Sequence, residues 1–133
     1  MTSRIHLVGI GGTGMLPLAL LLQESGYTVS GSDDGLPEAR LCILRNRGLA
    51  VPVALDAVTV DRVVVSPAIA ESHPERRQAR RAGTPVVSRA RALAALQADR
   101  KTICVAGSHG KSTGAAILVH ILTSAYGEVF AYV

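Results

Sequence analysis

Three helical patterns in this chain end on the same punctuation. Gly26-Tyr27-Thr28-Val29, Gly48-Leu49-Ala50-Val51 and Gly83-Thr84-Pro85-Val86 each place a glycine after a helical run and restart as strand. Glycine ends a helix at positive φ because it has no Cβ to collide with the following carbonyl. Its recurrence predicts repeated helix–strand units, which excludes an all-helical or an all-β chain. The right-handed crossover rule then gives a mainly parallel, Rossmann-like α/β sheet with helices on both faces. Composition agrees: 48% of residues are hydrophobic, yet there is one Phe, three Tyr and no Trp. Leu, Val, Ile and Ala must therefore fill the interior, as in buried parallel strands.

The apolar runs predict strands at residues 4–8, 27–31, 49–53, 62–65 and 85–88. Helices are expected at 14–23, 37–47, from about 74 to 82 and at 89–97. Ser72-His73-Pro74-Glu75 has the S-x-x-E form of a capping box with proline in the first turn. The polar stretch Ala98-Asp99-Arg100-Lys101 breaks the pattern and divides the chain into residues 1–98 and 99–133. The second part reads as a strand at 102–106, a helix from 111 to about 124 and the start of another strand at 128–133. So short a unit cannot bury its own faces. It is expected either to pack on the first part or to belong to a longer chain.

Several function classes are disfavoured. Residues 5–22 carry no Asp, Glu, Lys or Arg, but four glycines and Pro17 interrupt the run. A strand, a turn and a buried helix explain it better than a leader or a membrane span. Cys42 and Cys104 lie far apart in no metal-ligand spacing and read as reduced, buried thiols of a cytoplasmic protein. The net charge is +4, and eight of the fourteen basic residues fall between Arg76 and Lys101. No aromatic residue interleaves them, so the run Arg76, Arg77, Arg80 and Arg81 reads as a solvated helix face rather than a nucleic-acid surface.

Two glycine turns carry the chemistry. Gly9-Ile10-Gly11-Gly12-Thr13-Gly14 follows a strand pattern and opens a helix, and Asp33 stands 22 residues past Gly11. This is the dinucleotide fingerprint: backbone N–H groups and a positive helix end for a diphosphate, and an acid for ribose hydroxyls. Taken on spacing alone it points to NAD, or to a tight turn with no ligand. Gly107-Ser108-His109-Gly110-Lys111-Ser112-Thr113 resembles a P-loop, although Val105 stands where the first glycine would be. Its N–H groups suit a phosphate chain, Lys111 the β/γ-phosphates and Ser112 a Mg²⁺ ion.

Together with Val29-Ser30-Gly31-Ser32-Asp33 and Val63-Val64-Val65-Ser66-Pro67-Ala68-Ile69, these turns make the chain resemble the Mur ligase family, ATP-dependent amide-forming ligases of peptidoglycan precursor synthesis. The resemblance spans almost the whole chain and changes the first ligand from NAD to a UDP-sugar. It implies that Gly11, Gly12, Thr13 and Gly14 bind the UDP-sugar with Asp33, Ser66 and Ala68. It implies that Gly107, Ser108, His109, Gly110, Lys111, Ser112 and Thr113 bind ATP, with Lys111 catalytic and Ser112 on Mg²⁺. The implied substrates are UDP-N-acetylmuramate and L-alanine, joined through an acyl phosphate. A family member adding a recycled peptide to the same UDP-sugar, and a non-catalytic UDP-sugar-binding module, remain alternatives. The chain departs from the family pattern at Pro17, at Arg91 where an acid is expected, and at Gly114 where a third hydroxyl is common. If these residues were the whole molecule, UDP-sugar binding without ligation is expected, because the family's remaining ligands for Mg²⁺, adenine and the amino acid lie further along.

The other polar residues weigh towards structural roles. His6 and His120 read as packed histidines, His73 as an exposed capping residue and Asp34 as a turn residue. Arg89, opening a helix near the division of the chain, stands where a phosphate could be approached.

Overall fold

The structure is a computed structural model and describes residues 2–132. Its elements run β1 (Arg4–Val8), α1 (Met15–Glu24), β2 (Thr28–Ser32), α2 (Glu38–Asn46), β3 (Arg62–Val65), α3 (Pro74–Arg81), β4 (Val86–Ser88), α4 (Arg89–Gln97) and α5 (Lys111–Tyr126). The four strands form one parallel sheet in the order β2-β1-β3-β4. β1 is central, with Leu7 opposite Gly31 of β2 and Val64 of β3.

Strand alternation sorts the core into two layers. Ile5, Leu7 and Val64 face one side, where they meet Leu18 and Leu22 of α1, Leu44 of α2 and Ala92 of α4. Val8, Val63 and Val65 face the other, against Ala79 of α3 and Leu55 and Ala57 of the segment between α2 and β3. Helices cover both faces, as the repeated pattern requires. Gly26, Gly48 and Gly83 take φ values of +89°, +76° and +73°, the left-handed conformation expected where each helix stops.

The structure differs from expectation where a segment needed a partner. Residues 49–53 form no named strand, only an isolated bridge from Ala50 to Ser30. Pro52 has no N–H to extend the ladder, although Val53 N–H still donates to Gly31 O (2.8 Å). Residues 102–106 are exposed and unpaired, so their β-branched run makes no strand. The strand expected at 128–133 is likewise not formed over 128–132, and Val133 lies outside the described residues. Cys42 and Cys104 are exposed thiols rather than buried ones, because α2 turns Cys42 outward and 102–106 has nothing packed over it. His120 is exposed on α5, a helix that buries none of its residues. The cap of α3 is His73, whose Nδ1 accepts from Glu75 N–H (3.3 Å), in place of the expected Ser72.

Gly31 marks the tightest approach in the sheet. A Cβ there would lie 2.5 Å from Ile10 Cδ1 and 2.9 Å from the Leu7 carbonyl oxygen. Backbone cannot yield as a side-chain tip can, so Gly31→Ala is expected to destabilise the fold by about 1–3 kcal/mol. A urea unfolding midpoint equal to wild type would contradict this.

Candidate functional site

The sheet order places a crevice between β1 and β3. The chain leaves β1 towards α1 on one face and leaves β3 towards α3 on the other. Loops therefore diverge at the carboxyl ends of these two neighbours, the position at which open parallel sheets bind ligands. The first set of predicted residues gathers here. Gly9, at φ +78°, turns the chain out of β1, and its N–H donates to Ser32 O (2.8 Å) at the end of β2. Ser66 and Ile69 of the β3–α3 loop stand on its other side, each within 3.4 Å of where a Gly9 Cβ would be. Ser66 Oγ accepts from Ala68 N–H (3.3 Å), which fixes the two residues relative to each other.

Asp33 joins the turn directly. Its Oδ2 accepts the Gly11 N–H (2.8 Å) and its Oδ1 the Gly35 N–H (3.0 Å). Arg40 of α2 donates to the Gly11 carbonyl, and Leu36 covers the Gly11 Cα so closely that no Cβ fits. The Gly11 peptide is thus spent on protein partners. Gly12 N–H donates to Gly9 O (3.1 Å), and Met15 and Leu16 N–H to Gly12 O (both 3.0 Å). Among the described residues, the N–H groups of Thr13 and Gly14 have no protein acceptor, and Thr13 is exposed. The backbone donors of the turn left without a protein acceptor are therefore those of Thr13 and Gly14, while the Gly11 N–H is taken by Asp33.

The second predicted set forms a separate loop. Residues 107–113 are all exposed, and Gly110 caps α5 at φ +75°. Lys111 Nζ folds back to donate to Gly107 O (2.8 Å) and Ser108 O (3.4 Å). The loop N–H groups and the α5 N-terminus suit a phosphate chain. Ser112 is an oxygen donor that could join phosphate oxygens around Mg²⁺. Among the described residues, no group of three His, Cys, Asp or Glu could itself hold a metal ion. Lys111 and Ser112 are among the residues lining an open cleft of about 1140 Å³, with Leu93 and Leu96 of α4. The link from this part to the first turn is Tyr132, whose hydroxyl donates to Gly14 O (2.7 Å).

The burial of one arginine escaped sequence reasoning. Arg76, expected to be solvated, is mostly buried: its Nη1 donates to Ile69 O (2.8 Å) and its Nη2 to Glu71. It braces the loop that carries Ser66 and Ala68, and nothing in a charge run distinguishes this member from its neighbours. Behind the crevice, His6 is 1% exposed, with Nδ1 3.0 Å from Ser30 Oγ and Nε2 3.8 Å from Glu75 Oε1. Ser32 Oγ donates to Glu75, and Leu55 N–H donates to Glu75 Oε1 (3.0 Å).

Burial pushes the His6 imidazole below its ordinary value of 6.5, and the Glu75 carboxylate opposes that only in part. The unfolded chain then takes up a proton below pH 6.5 that the folded chain refuses. Stability contributed by neutral His6 is full above that pH and is lost as pH falls towards the lower folded value. Unfolding midpoints measured from pH 7.5 down to about 5 should fall for wild type and fall less for His6→Gln. Parallel slopes would exclude the assignment.

Comparison with known proteins bears on the same region. Residues 4–101 match the family model described as Mur ligase family, catalytic domain. A curated UDP-N-acetylmuramate–L-alanine ligase from Nocardioides sp. is 43% identical over 125 residues, covering 92% of this chain and 28% of that protein. One of the same name from Carboxydothermus hydrogenoformans is 42% identical over 123 residues, covering 89% and 26%. Among solved structures, a UDP-N-acetylmuramate-alanine ligase from Thermotoga maritima superposes with a TM-score of 0.77 at 34% identity, over 90% of this chain and 29% of that one. A murein peptide ligase from Psychrobacter arcticus superposes at 0.82 and 31% identity, over 92% and 27%. The chain therefore spans between about a quarter and three tenths of the length of these relatives.

Proposed function

Because the chain belongs to the Mur ligase family, we propose that its first glycine turn holds the diphosphate of a UDP-sugar and its second the phosphates of ATP. The observation that carries the first half is the crevice at the β1–β3 divergence, where Thr13 and Gly14 offer unspent N–H groups at the α1 N-terminus. Gly12 lies in the same turn, its N–H on Gly9 O (3.1 Å). Asp33 stands at the nucleoside end, holding Gly11, and Ser66 and Ala68 line the facing wall. We assign residues 1–98 to the UDP-sugar domain and 99–133 to the opening of the ATP-binding domain.

On this reading the chain belongs to an enzyme that joins L-alanine to the carboxylate of UDP-N-acetylmuramate. The carboxylate would take the γ-phosphoryl group of ATP, and the amine of L-alanine would displace phosphate from the acyl phosphate. Lys111 would exchange its two carbonyl partners for phosphate oxygens and offset their charge, and Ser112 would offer a hydroxyl to a cation bound with ATP. The curated relatives bear the name of the L-alanine ligase at 42–43% identity. The peptide-adding ligase is the second reading, favoured by the closer superposition of the Psychrobacter structure.

Calorimetric titration with UDP-N-acetylmuramate, UDP, ATP and NAD tests the assignment. The UDP-sugar is expected to bind and NAD not to. Lys111→Met should weaken ATP by about tenfold or more while leaving UDP unchanged. Binding of NAD without UDP would overturn the reading.

A further inference from the structure

The α1 N-terminus is flanked by a cation where an acid would be favourable. Arg89, the first residue of α4, follows Ser88 at the carboxyl end of β4 and so rises on the same edge of the sheet as the glycine turn. Its guanidinium lies across the Cα of Gly14, the N-cap of α1: a Cβ built there would overlap Arg89 Nη1 and stand 2.7 Å from its Cζ. The first turn of α1 contains no acidic residue. Among the described residues, Arg89 has no carboxylate partner and its donors reach no acceptor, although the side chain is only half exposed. A guanidinium beside the positive end of a helix is repelled by it. An anion bridging the Thr13 and Gly14 N–H groups and the guanidinium fork would remove that repulsion.

Arg40, at the other end of the turn, differs in having a partner. It donates to the Gly11 carbonyl and so holds the turn's shape. Arg91, two residues past Arg89, is exposed.

We propose that Arg89 is a binding residue for the nucleotide diphosphate, gripping it bidentately from α4 opposite the Thr13 and Gly14 N–H groups. This rests on the assignment of the first turn to a UDP-sugar and adds its cationic half. The fork of an arginine matches two phosphate oxygens, whereas a lysine supplies a point charge.

The test is an NMR titration of the 133-residue chain with uridine, UMP and UDP, for wild type, Arg89→Gln, Arg89→Lys and Arg91→Gln. Arg89→Gln should weaken UDP by about tenfold to a hundredfold, the range for hydrogen bonds to a charged group. Uridine should be unaffected, and the salt dependence of UDP binding should become shallower. Arg89→Lys should fall between, and the exposed-charge control Arg91→Gln should match wild type. Unchanged UDP affinity in Arg89→Gln and Arg89→Lys, or equal losses for uridine and UDP, would overturn the role of Arg89 while leaving the UDP-sugar reading standing. Failure of UDP to bind wild type would overturn both. Should Arg89→Gln not fold, the Arg89→Lys comparison of UDP with uridine decides.

Discussion

The hydrogen bond from the Gly11 N–H to the Asp33 carboxylate (2.8 Å) is the contact on which the crevice depends. It crosses from the turn after β1 to the end of β2, and so converts strand pairing into a fixed loop geometry. The pairing brings the ends together: Val8 lies opposite Ser32, and the Ser32 carbonyl takes the N–H groups of both Gly9 and Ile10. Asp33 then closes the next peptide. A backbone donor bonded to a carboxylate is roughly twice as strong as one bonded to a neutral acceptor. With Arg40 holding the Gly11 carbonyl, both the N–H and the C=O of Gly11 are committed, and two consecutive peptide groups of the turn leading to Thr13 and Gly14 are held in place. Such pre-ordering lowers the entropy cost of binding.

What could be read from the sequence follows from how local each determinant is. Gly26, Gly48 and Gly83 announce their conformations because positive φ is a property of one residue. The covered faces of β1 and β3 are equally legible, since alternation fixes which side chains share a side. Strand formation at 49–53 and 102–106 was not legible in the same way. A β-branched run shows that a segment tolerates extension, while a ladder also needs a neighbour at the right distance. Residues 102–106 have none, and Pro52 interrupts the ladder at the sheet edge. The first site was legible as a cluster because its residues end adjacent strands. Its internal bonding was not: neither the fingerprint nor the resemblance shows that Asp33 takes the Gly11 N–H.

The arginines of α3 show the same limit from another side. Arg76 and Arg80 both reach Glu71, but only Arg76 turns inward to the Ile69 carbonyl. Helical spacing puts residues four apart on one face. It cannot say which of them meets the returning β3–α3 loop. That loop position also explains why His6 is buried next to acid and hydroxyl groups: α3 brings Glu75 down on β1 and β2, and Ser30, Ser32 and Glu75 satisfy the imidazole there. A polar group so deep is tolerated only with its partners supplied.

The two phosphate-type loops share backbone chemistry and differ in what holds them. The first is fixed from outside, by Ser32, Asp33, Arg40 and the close approach of Ile69. The second is held by itself: Lys111 reaches carbonyls of its own loop, and Gly114 N–H closes on Gly110 O (2.8 Å). The Lys111 ammonium rests against carbonyl dipoles, and a phosphate oxygen bearing charge is the stronger acceptor. On the proposed reading, exchange of one for the other would need the exposed Lys111 side chain to rotate away from its two carbonyls. The first turn has no comparable exchange to make. Its unbonded Thr13 and Gly14 N–H groups stand at the α1 N-terminus beside the Arg89 guanidinium, and the first turn of α1 carries no acid to offset that positive field.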